Sequence, residues 1–124
     1  WGVVGRWVFY MVRRGTVFNP QISDAVPIAH EVKIGWAFHY LIAVVWAVAF
    51  HIFFVGYPLF ELSYKNGLLF GALTTLAPLL IFMPFTGQGV LARQTQMPLL
   101  TSLIMLARHC VFGLAMFDAF RWFH

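Results

Sequence analysis

The chain has 124 residues, of which 61% are hydrophobic, 19% aromatic and only 10% charged. An ordinary globular chain carries about a quarter charged residues, so this one lacks the polar atoms to coat a water-facing surface, and a soluble domain is excluded. The formal net charge of +4 comes from basic residues scattered along the flanks of apolar runs, a pattern that orients a chain in a bilayer and does not make a nucleic-acid surface.

Residues 1–12 are apolar but too short to span, and they contain Arg6. They read as the tail of a helix begun upstream, in preference to a segment lying in the interface. A first residue that is not Met fits a longer chain. Residues 13–33 form a polar connection with Pro20 and Pro27, in which a short surface helix is allowed but not required. From Ile34 to Tyr57 there is no Lys, Arg, Asp or Glu, and at about 1.5 Å per residue this run reaches about 36 Å, enough to cross a bilayer with some tilt. Residues 67–85 form a second uncharged run that ends at the breakers Pro84, Gly87 and Gly89. Residues 97–120 form a third run, interrupted by Arg108, His109 and Asp118. The expected fold class is therefore all-α: a helical membrane bundle in one domain, with complete spans at 34–57, 67–85 and 97–120.

Arg6, Arg13, Arg14 and Lys33 precede the first span and Arg93 lies between the second and third, whereas Lys65 and Arg121 fall on the opposite side. The positive-inside rule then predicts that residues 13–33 and 87–96 are cytoplasmic and that the carboxyl terminus lies outside. Trp36, Tyr57, Tyr64 and Trp122 fall near the expected boundaries, where aromatic belts sit.

Gly35, His39, Ala43, Ala47 and His51 follow one another at four-residue steps in the first span. On a helix they make one slanted stripe of small and polar side chains, which lets another helix approach closely and turns both histidines toward protein. Gly67, Gly71 and Thr75 form a matching stripe in the second span, so contact between these two stripes is the expected packing. A haem or other tetrapyrrole reading competes through His39, His51 or His109. His39 and His51 are about 18 Å apart along one axis and cannot hold one iron, and pairing either with His109 needs a shift of about 9 Å.

Arg108 is costly at mid-span and needs a partner. Asp118 lies about 15 Å further along the same helix, out of direct reach. Pro78 removes the hydrogen bond to the Thr74 carbonyl, so Arg108 or His109 capping the backbone near Thr74 and Thr75 is the expected arrangement. The functional counterpart is a polar path past Arg108, His109 and Thr74 for a proton or small anion. Thr86-Gly87-Gln88-Gly89 offers backbone N–H groups to an anion, although a plain turn is the simpler reading. His30 and Glu31 are too few for a metal site. Cys110 is the only cysteine, so no intrachain disulfide forms.

Val4-Gly5-Arg6-Trp7, Arg14-Gly15, Gly35-Trp36 with His39-Tyr40, and Pro78 with Pro84, Gly87 and Gly89 make an ordered pattern. It continues through Thr95 and Pro98 to His109 and Val111-Phe112-Gly113-Leu114. The pattern resembles a bacterial inner-membrane family described only as a domain of unknown function, with about four spans. That resemblance implies a helix upstream of Trp1 and carries no activity; Arg108 and Asp118 stand outside it. With no metal cluster, nucleotide loop or nucleophile triad in the sequence, the expected function is non-catalytic and without cofactor. It is an accessory or scaffold subunit in contact with lipid and with a membrane-protein partner or its own copies. The alternative is a small transporter or channel using Arg108 and His109.

Overall fold

The structure, a computed structural model, describes residues 1–57 and 59–124. Among these residues there is helix and no strand. Three helices are long and apolar enough to cross a membrane: α2 (Glu31–Gly56), α3 (Tyr64–Phe85) and α4 (Pro98–Phe123). They follow a shorter helix, α1 (Gly2–Arg14).

The helix ends have local causes. α1 stops where Gly15 takes a left-handed φ of 67°, which lets its N–H reach the Met11 carbonyl at 2.9 Å. Arg13 and Arg14 sit in its last turn, where the helix dipole favours positive charge. α3 is capped by Ser63, whose hydroxyl accepts the Asn66 N–H at 3.3 Å. α4 opens on Pro98, in the turn where a missing N–H costs nothing. Inside α3, Pro78 has no N–H to offer the Thr74 carbonyl, and the backbone widens into a π-helical turn over Pro78–Phe82. α2 and α3 begin at Glu31 and Tyr64 and α4 runs to Phe123, because a helix does not stop where hydrocarbon does and its charged ends extend toward the headgroups.

The helices pack as two pairs, α1 with α2 and α3 with α4. A Cβ on Gly5 would collide with the Glu31 carbonyl, and one on Gly35 with the Trp1 carbonyl. In the other pair, a Cβ on Gly71 would strike the His109 carbonyl and one on Gly113 the Gly67 carbonyl. Both interfaces are small-residue crossings in which backbone meets backbone. This corrects the expected contact between the stripes of α2 and α3. Gly35 faces α1, and Gly67 and Gly71 face α4, because Gly5 and Gly113 supply the matching flat surfaces.

The two pairs meet instead through aromatic rings near one end. Phe50 of α2 is fully buried, edge-on to Phe70 of α3 at 5.0 Å and stacked on Phe120 of α4 at 5.5 Å, with Phe54 and Phe117 completing the cluster. Toward the other end Trp7 stands edge-on to Phe82 at 5.3 Å. The connections on that side interlock: the Asn19 N–H donates to the Phe85 carbonyl at 2.8 Å, and Gly87, at φ 84°, leaves room for the Pro20 carbonyl. Residues 13–33 thus fold back over the end of α3, with a single 3-10 turn at Ile22–Asp24.

Candidate functional site

Two arginines on apolar helices define the polar chemistry of the molecule. Arg6 is buried at the α1–α2 crossing. Its Nε donates to Glu31 Oε2 at 2.9 Å and its Nη2 to Oε1 at 3.1 Å, a bidentate pairing that only a planar guanidinium makes. Its Nη1 donates to the carbonyls of Ile22, Ser23 and Ala25 at 3.3, 3.0 and 2.7 Å. Glu31 Oε2 also accepts the Ile28 N–H at 3.1 Å, and Trp7 Nε1 donates to the Val17 carbonyl at 2.7 Å. Arg6 therefore fastens the long connection onto the helix pair. On sequence alone Arg6 counts among the orienting charges and Glu31 belongs to the polar connection; the available signal is the Gly5-Arg6-Trp7 order, in which the glycine brings α2 close enough for the arginine to reach it.

The mid-span groups are arranged differently from expectation. Thr74 and Thr75 are buried, and both hydroxyls donate to the Gly71 carbonyl of their own helix, at 2.8 and 3.3 Å. His109 Nδ1 lies 2.9 Å from the Met105 carbonyl of its own helix. Arg108 is exposed on α4 and makes no hydrogen bond to a described residue. The expected cap of Arg108 or His109 on the backbone at Thr74 is overturned: at roughly 100° per residue Arg108 points away from Gly113, the residue that faces α3. An arginine so placed costs about 2.5–3.5 kcal/mol at mid-bilayer. Asp118 is likewise exposed on α4.

Of the two histidines of α2, His39 departs from the expected inward stripe, whereas His51 packs against α4. His39 is exposed, with its ring 4.5 Å from Trp1 and 5.6 Å from Trp36. His51 is half-buried beside Phe120, and its ring lies 6.2 Å from His124. Ala43 and Ala47 are half-buried. His39 and His51 thus keep separate surroundings, Trp1 and Trp36 beside the first and Phe120 and His124 beside the second. Among the described residues no group of three or more His, Cys, Asp or Glu is placed to hold a metal ion. The turn at Thr86 presents no free nest for an anion, because the N–H groups of Thr86, Gly87 and Gln88 donate to the carbonyls of Phe82, Pro84 and Met83.

Three apolar spans, held with α1 in two glycine-packed helix pairs, define a polytopic α-helical membrane protein. More particularly, the chain belongs to the DUF2938 family, described as a protein of unknown function, whose family model matches residues 1–121. No curated protein and no solved structure matches the chain.

Proposed function

We propose that this protein is a non-catalytic component of the bacterial inner membrane, an accessory or scaffold subunit of a larger membrane complex. Residues 13–33 and 87–96 lie on the cytoplasmic side in this reading. The observation that carries it is that the polar side chains at the α3–α4 crossing are closed on their own helices. Thr74, Thr75 and His109 each hydrogen-bond to a carbonyl of the same helix. A conduction path needs polar groups that exchange partners with a passing ion or with water, whereas these groups brace their helices. Meanwhile α2 and α4 turn large apolar residues outward along most of their length, among them Leu41, Val44, Val48, Leu103 and Val111. That is surface for lipid and for other helices.

The test is reconstitution of the full chain into liposomes, with proton flux and chloride efflux measured under an applied potential. Rates equal to those of empty liposomes are expected. Flux above that background, abolished by His109→Ala, would overturn the subunit reading in favour of a transporter. Orientation is checked separately with a membrane-impermeant maleimide, which should reach Ser23→Cys only from the cytoplasmic side. Cys110, which backs onto Gly71, should stay unlabelled from both sides.

A further inference from the structure

The outward face of α4 carries a pattern that the fold of this chain does not use. Ile104, Arg108, Val111, Ala115, Asp118 and Trp122 follow one another at alternating steps of four and three, and all are exposed. This is the spacing of a helix-packing seam. At roughly 100° per residue the six fall within about 80° of one another, on the side opposite Gly113. α4 thus has two packing faces: one is filled by α3, and the other holds Arg108 and Asp118.

We infer that this seam docks a transmembrane helix of a different protein, one that presents a single Asp or Glu at mid-depth to pair with Arg108; the inference rests on the subunit reading above. Charge complementarity selects the occupant. Arg108 lies ten residues into α4, about 15 Å from its start, too deep to behave as a headgroup anchor. Residues 1–124 hold four carboxylates, and none of them serves Arg108. Glu31 is held by Arg6. Asp24 and Glu61 belong to the connections between helices. Asp118 is ten residues further along α4, about 15 Å away. A second copy does not solve the problem. Two parallel copies meeting on this seam set Arg108 against Arg108, with each Asp118 about 15 Å off in depth. Ala115, two turns beyond Arg108, is the small residue that lets a partner backbone approach, so that a short carboxylate side chain meets the guanidinium.

The test uses the full chain in phosphatidylcholine vesicles with a fluorescent synthetic peptide of about 21 Leu and Ala residues carrying one central Glu. Energy transfer reports association. Expected is an apparent affinity about tenfold above that of the peptide with Leu at the centre, a difference of about 1.4 kcal/mol. Arg108→Leu should remove the difference, Arg108→Lys should keep part of it, and Arg121→Gln should leave it unchanged. Ala115→Leu, which alters no charge, should weaken the Glu peptide by closing the seam. Equal affinity for the two peptides, or selectivity that survives Arg108→Leu, overturns the assignment. So does self-association of the chain that Arg108→Leu abolishes, which makes a second copy the occupant. Loss of peptide binding on adding phosphatidylglycerol would mean that lipid phosphate occupies Arg108. Ion flux in peptide-free liposomes sinks the subunit reading itself, whereas silent liposomes without Glu selectivity sink only this partner.

Discussion

Arg6 and Arg108 are the same residue on two apolar helices, and the molecule surrounds them in opposite ways. Arg6 stands next to Gly5, where α2 comes within backbone contact, and it makes five hydrogen bonds to Glu31 and to three carbonyls of the connection. Arg108 stands on the far side of α4 from Gly113 and faces out of the bundle. A charge on a membrane helix is therefore a part of the fold when a glycine on the same face brings backbone acceptors to it. Placed opposite the glycine, it meets no acceptor among the described residues.

The largest effect expected from breaking this comparison is at Arg6. Arg6→Leu removes five hydrogen bonds at once and leaves the Glu31 carboxylate with only the Ile28 N–H. Losing one partner of a buried pair is far more damaging than never having had the pair. The expected outcome is little or no folded protein in detergent. In whatever survives, limited proteolysis should cut first within residues 15–30. Arg6→Lys should fall between the two, since a single ammonium cannot fork onto both carboxylate oxygens. Unchanged melting and an intact connection would remove Arg6 from its role as a fastener.

Second in size is the glycine that makes the α3–α4 pair. Gly71→Leu places a branched side chain where the His109 carbonyl already lies, so the two helices must separate. Overpacking in a close contact costs about 1–3 kcal/mol and more where backbone is the obstacle. Thermal unfolding should show the loss. A cysteine cross-link between α3 and α4 that forms in the unchanged protein should fail in the variant. Smaller again is Trp7→Phe, which keeps the ring against Phe82 but removes the indole donor to the Val17 carbonyl; about 1 kcal/mol is expected from the same unfolding measurement.

These differences mark what a sequence read by itself makes visible. The spans are legible because hydrocarbon demands long uncharged runs and backbone groups that satisfy one another within the helix. The glycine and alanine steps at Gly35 and at Gly67 with Gly71 are legible as flat faces. Their partners are not, because a flat face fits any other flat face, and the decisive residues, Gly5 and Gly113, stand alone without a repeating step. The Arg6–Glu31 pair was out of reach for another reason. Its geometry exists only once α1 and α2 have paired, a contact across 25 positions that leaves no periodic mark. Depth along a helix could be read for Arg108 by counting residues. Direction around the helix could be read only once Gly113 fixed which side faces α3.

The smallest expected effect is the sharpest test of the contrast. Arg108→Leu should melt within about 0.5 kcal/mol of the unchanged protein in detergent, as a substitution away from any packed contact does. The same chemical change at Arg6 should be ruinous, so the pair of variants separates position from residue type. If Arg108→Leu instead destabilises the isolated chain by as much as Gly71→Leu, the guanidinium has a partner within this bundle and the outward seam on α4 is not free. If the isolated chain is indifferent while association with a carboxylate-bearing helix is lost, Arg108 acts between molecules. The cost of holding its charge at mid-bilayer is then offset by the partner and not by the fold.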